Sequence, residues 1–183
     1  MTRKMSALLL VGSMGAVLGG AAQAQEFSAR LSGFEEVGGV GAGQTGAILS
    51  NGTGKLSLDV DKNSASASYR LSYSGLSSDV TQSHIHFGKR HVGGGIMVWL
   101  CQSAAKPSPT PGTPTCPAGG GTVTGTLTPA NVVAIGTQNV TAGDFDALRD
   151  ALASDTAYVN VHTVNFPAGE IRGQVRRQDD DDK

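Results

Sequence analysis

A strict apolar and polar alternation that turns back on itself constrains this chain more than any other feature. In Lys55-Leu56-Ser57-Leu58-Asp59-Val60-Asp61, the side chains of Leu56, Leu58 and Val60 fall on one face of an extended strand. After Asp61-Lys62-Asn63-Ser64 the same period resumes with Ala65, Ala67, Tyr69, Leu71 and Tyr73. Two such segments joined by a short polar turn predict a β-hairpin with one buried face. Alternation of this kind recurs over residues 27–35, 83–88, 122–128, 158–163 and 170–175, and residues 96–100 form an apolar run suited to a buried strand.

Glycines punctuate these strands. The segment 38–46 reads as a loop, and Gly125 within the 122–128 strand marks a bulge or a close backbone approach. Residues 164–169 form the turn of a C-terminal hairpin. With 26 glycines, few charges and no long helical period, the composition points to an all-β fold. One short helix is predicted, with Thr141 as its N-cap, Asp144 at its third position, and Phe145, Leu148 and Leu152 on its apolar face.

The first residues, Met1-Thr2-Arg3-Lys4, an apolar run over 7–18 and then Ala22-Gln23-Ala24, have the three zones of a secretory signal peptide. Cleavage after Ala24 is expected, giving a periplasmic or secreted protein. The apolar run is shorter than the roughly 20 residues of a spanning helix, so no membrane span is expected. One domain should occupy residues 25–177, although Arg176 and Arg177 already lack anything to bury. A disordered acidic tail, 178–183, should follow. A formal net charge of -1 argues against a nucleic-acid partner. Cys101 and Cys116, the only two cysteines, flank a Pro/Ser/Thr-rich stretch and in an exported chain read as a disulfide.

Candidate chemistry lies in the histidines. In an extended strand His84 and His86 share one side while Ile85 and Phe87 take the other. His162 lies in Tyr158-Val159-Asn160-Val161-His162-Thr163, where Val159 and Val161 face the core and His162 joins Asn160 on the polar side. If the two strands are neighbours, three imidazoles converge and can grip one ion, copper before zinc, because imidazole suits both and copper binds most tightly among divalent first-row ions. His91, in a loop, is a candidate fourth ligand. Asn160 and Glu170 are candidates to orient the rings by hydrogen bonding. The alternative is structural: the same rings lock the sandwich through neighbouring polar groups. Metal affinity is expected to fall as pH drops through the histidine range near 6.5. Met97, in an apolar strand, reads as core.

Taken together, Ser83-His84-Ile85-His86-Phe87-Gly88, the strand over 121–128, and the Val159-Asn160-Val161-His162-Thr163 strand leading into Pro167-Ala168-Gly169-Glu170-Ile171-Arg172-Gly173 resemble the CHRD domain, named for chordin. The resemblance implies an antiparallel, Greek-key-like β-sandwich of the superoxide dismutase or immunoglobulin kind. A fainter similarity links the His84-x-His86 strand to copper/zinc superoxide dismutases, whose remaining metal ligands have no counterparts here. No hydrolase or nucleotide-binding motif is present. The expected function is capture or handling of a transition metal by a protein that is more binder than enzyme. Two alternatives stand: an extracellular module for protein contact or self-association, and a copper-only dismutase-like enzyme.

Overall fold

The computed structural model describes residues 24–37 and 46–178. The leader read over residues 1–24 and the glycine-rich segment 38–46 lie, apart from Ala24 and Gly46, outside the described residues, as do residues 179–183 of the acidic tail. Among the described residues there are nine strands and one α-helix: β1 (Gln25–Ser32), β2 (Thr53–Val60), β3 (Ala67–Ser74), β4 (Val80–Phe87), β5 (Gly95–Cys101), β6 (Gly121–Leu127), α1 (Phe145–Ala153), β7 (Ala157–Thr163), β8 (Ile171–Gln174) and β9 (Arg176–Arg177). Every strand pairing is antiparallel, in the order β5-β4-β7-β8-β1-β2-β3-β6. The sheet folds over on itself: Tyr69 of β3 donates its hydroxyl to the Leu100 carbonyl of β5, 2.6 Å away across the core.

The predicted hairpin is β2–β3, with Leu56 opposite Leu71 and Leu58 opposite Tyr69. Leu56, Leu58 and Leu71 are fully buried, and each such side chain contributes about 1.5–3 kcal/mol through removal from water. Gly125 faces Tyr69 across the β3–β6 pair. A methyl group on it would stand 2.6 Å from the Tyr69 hydroxyl, so the glycine is a close-approach residue. Cys101 and Cys116 are joined, with an S–S distance of 2.08 Å. Met97 lies in the core.

Three boundaries differ from the sequence reading. β1 ends at Ser32, and Gly33–Glu35 form a 3-10 turn. Its first carbonyl accepts from both Glu36 and Ile48, and a side chain on Gly33 would run into the Ile48 carbonyl. The helix begins at Phe145 with Asp144, not Thr141, as N-cap: its carboxylate accepts from the Ala147 N–H at 2.9 Å. Gly143, at φ +84, cannot lie within a helix, which moves the start past Thr141. Finally, Arg176 and Arg177 are ordered as β9, opposite Ser28 and Phe27. That pairing continues the register in which Arg172 faces Ser32. One strand therefore runs between β7 and β1 and ties the two layers together. What orders it is backbone pairing, with Val175 donating to Ala157 and Gln178 to Glu26, and not side-chain burial.

Candidate metal centre

The β4–β7 pair builds the site. Its register sets His84 opposite Asn160, His86 opposite Tyr158 and Gln82 opposite His162. Ile85, Val159 and Val161 go to the core, so the histidines and Asn160 take the outward face. That face is nevertheless sealed. His84 is 0% exposed, and His86 and His162 are 7% exposed. Trp99, paired with His84 on β5, sets its ring edge-on at 4.3 Å between centroids. Tyr158 stacks on His86 at 4.6 Å with the rings 3° from parallel. Arg172, buried and with its guanidinium carbon 3.4 Å from the Tyr158 ring centroid, donates to the Lys89 and Val92 carbonyls and so holds the loop over residues 88–94 down on the site.

Ring nitrogens of His84, His86 and His162, one from each, lie within 4.8 Å of one another. His86 Nδ1 donates to the Gly94 carbonyl and His162 Nδ1 to the Pro167 carbonyl, each at 3.0 Å. A carbonyl only accepts, so these bonds fix the proton on Nδ1 and leave each Nε2 lone pair turned inward, the arrangement that prepares an imidazole for a metal. His84 Nδ1 lies 3.2 Å from His162 Nε2. Metal–nitrogen bonds of about 2.0–2.1 Å place neighbouring donors of a tetrahedron roughly 3.3 Å apart, so this pair already has the spacing of one edge. His84 Nε2 is buried without a hydrogen-bond partner among the described residues.

Burial, aided by the other two rings, pushes His84 well below the ordinary histidine value. Burial also lowers His86 to about 4 against the opposing influence of the Gly94 carbonyl and the Asn160 amide oxygen, with the Arg172 charge adding to the effect. His162 falls to about 4 for the same first reason. The rings are therefore neutral at pH 7, and their lone pairs stay available well below the pH near 6.5 expected from the sequence.

A cleft of about 510 Å³ opens onto the cluster. His86, His162 and Asn160 line it, and Gly93, Gly94, Gly95, Tyr158, Gln138 and Glu36 form its walls. Gln138 fixes one wall by accepting from the Gly95 N–H and donating to the Phe87 carbonyl, at 2.7 and 2.8 Å. A side chain on Gly94 would run into the Phe87 carbonyl, which explains a glycine beside the carbonyl that orients His86.

Two candidates stand elsewhere. His91 is exposed at φ +62 with Nε2 3.6 Å from the Glu35 carboxylate, and it is not part of the cluster. Glu170 touches no imidazole; its carboxylate accepts from the Ser50, Ser77 and Thr163 hydroxyls and the Ser77 N–H, at 2.6 to 2.9 Å. Burial raises its pKa, but these donors outweigh burial and hold it below the ordinary value. Its alternating position placed Glu170 near the histidine strand, yet the Ser50 and Ser77 loops claim it first. Gly94, Pro167, Trp99 and Arg172 were missed as parts of the site. Only Trp99, one of the few large aromatic residues in a strand, carried a signal that could have flagged it.

The family model of the CHRD domain matches residues 27–175. The chain belongs to the CHRD-domain family. This span of the CHRD domain contains all three clustered histidines, Asn160 and both cysteines. No curated protein and no solved structure matches the chain, so the fainter likeness to superoxide dismutases gains no support.

Proposed function

We propose that this CHRD-domain protein is exported to the periplasm or the medium and there captures a transition-metal ion, copper first and zinc second, through His84, His86 and His162. One observation carries the reading: three neutral imidazoles, two of them oriented by carbonyl hydrogen bonds, turn nitrogens toward one point beside an open cleft. Export is supported by the leader pattern of residues 1–24 and by the Cys101–Cys116 disulfide. No helix among the described residues is long and apolar enough to cross a membrane.

Calorimetric titration with Cu(II) and Zn(II) tests the reading. The double variant His84→Ala/His86→Ala should lose uptake while circular dichroism reports the same β-fold. Undiminished uptake by the folded variant would overturn the assignment. Trp99, the only tryptophan, touches His84 and supplies a second readout, because Cu(II) at the site should quench its fluorescence and Zn(II) should not.

A second reading, a module for protein contact or self-association with structural histidines, is favoured by Phe34 and Val92. They stand 68% and 54% exposed on two segments joined by the Glu35–Arg90 ion pair. Sedimentation of the metal-free protein that shows a concentration-dependent dimer would support it. A dismutase-like activity would require the copper-loaded protein to consume superoxide faster than free copper at equal concentration.

A further inference from the structure

Asn160 sits between two imidazole nitrogens that have no proton to offer it. His86 and His162 carry their protons on Nδ1, bonded to Gly94 and Pro167, so each Nε2 presents a lone pair. Both Nε2 atoms lie 3.0 Å from Asn160 Oδ1. Three acceptors thus face one another. His84 Nδ1, 3.2 Å from His162 Nε2, is placed to put a proton on that nitrogen, but His86 Nε2 faces Asn160 Oδ1, while its own Nδ1 is turned to the Gly94 carbonyl. Asn160 is itself only 3% exposed, so both rings meet its amide in a nearly closed setting.

Two arrangements remove the conflict. A half-turn of the amide about its last torsion brings Nδ2 to the position of Oδ1, and its two protons then match the two lone pairs. Alternatively a cation enters between the nitrogens and the oxygen, and the oxygen stays where it is. The same side chain, in the same place, satisfies the rings in either state.

Building on the metal reading above, we propose that Asn160 is both the plug of the empty site and the fourth donor of the filled one. Its NH2 group holds His86 and His162 in place when no ion is present, and its Oδ1 completes a three-imidazole, one-carboxamide set when an ion arrives. A carboxamide oxygen is a hard donor, so this set favours Zn(II) and Cu(II) over Cu(I). Gly169 leaves room for the amide: at φ +130 it has no side chain, and a methyl group there would lie 3.1 Å from Asn160 Nδ2 and run into the Glu36 carboxylate.

The test uses the whole protein, with Zn(II) for nuclear magnetic resonance and Cu(II) for electron paramagnetic resonance. The Asn160 side-chain amide signals, identified by their loss in Asn160→Asp, should shift on Zn(II) uptake and exchange faster with solvent, having left the imidazoles. Asn160→Leu should weaken Zn(II) binding about tenfold or more. Asn160→Asp, which keeps an oxygen and adds charge, should strengthen it, and both variants should change the Cu(II) spectrum. Amide signals that stay in place while Zn(II) binds would overturn the role of Asn160 and leave the three-histidine site standing. So would Asn160→Leu with the affinity and Cu(II) spectrum of the original. If Asn160→Leu fails to fold, the amide signals of the unaltered protein still decide. A wild-type protein that takes up neither ion overturns the metal reading and this inference together.

Discussion

The two layers of the sandwich write the same alternation and use it differently. In β2, β3 and β6 the polar positions go to water: Lys55, Asp59, Ser68, Arg70, Thr122, Thr124 and Thr126 are all exposed. In β7 every residue is buried, although Asn160 and His162 alternate with Val159 and Val161 just as regularly. The difference lies in what lies over the outward face. Nothing among the described residues covers those positions of β2, β3 and β6, whereas Trp99, the 88–94 loop pinned by Arg172, and the turn carrying Pro167 close over the histidines. A polar face left wet costs little. A sealed one must satisfy each polar atom from within or bear the cost of leaving it unpaired, and His84 Nε2 is left unpaired among the described residues.

Acid should separate the layers most strongly. All clustered histidines lie in the sealed layer, with folded-state pKa values below the unfolded value near 6.5, so the unfolded chain binds protons first. Stability is then complete above pH 6.5 and is lost as pH falls from 6.5 toward about 4, by several kcal/mol in all. Urea unfolding of the metal-free protein at pH 7 and pH 4.5 measures this, and a flat profile over that window would mean that the rings are not held neutral by burial. Next in size is Ile85→Ala, on the core side of β4, where the side chain is fully buried. Loss of about 2–5 kcal/mol in urea unfolding is expected, with metal uptake retained by the folded fraction. Equal damage to uptake would show that the core and the site are not separable.

How much of this was legible in the sequence follows the same division. The β2–β3 hairpin, the core positions of the helix and the shared face of His84 and His86 rest on local periods, which any extended or helical backbone enforces. Adjacency of β4 and β7 is not local, because α1 and two strands intervene between them, and the sequence reading carried it only as a condition. Sealing of the face was invisible. It depends on Arg172 reaching the Lys89 and Val92 carbonyls, more than 79 residues away in sequence, and on carbonyls of Gly94 and Pro167 that no side-chain pattern encodes. Depressed histidine pKa values follow from that sealing. Glu170 failed as a partner for the same kind of reason: Ser50 and Ser77 come from distant loops.

The smallest expected effect sharpens the contrast, because one substitution can be made in both settings. Thr124 is exposed on β6 opposite Arg70, and Thr124→Val keeps the branched shape that strands favour. Its unfolding free energy should change by less than about 0.5 kcal/mol. Thr163, fully buried at the end of β7, donates its hydroxyl to the Glu170 carboxylate at 2.7 Å. Thr163→Val removes a bond to a charged acceptor that burial keeps from finding water, so it should cost about 1.5–3 kcal/mol in the same urea assay. If both variants unfold at the same denaturant concentration, the hydroxyl of Thr163 is reached by solvent, and the distinction between a wet and a sealed polar layer fails at that end of β7.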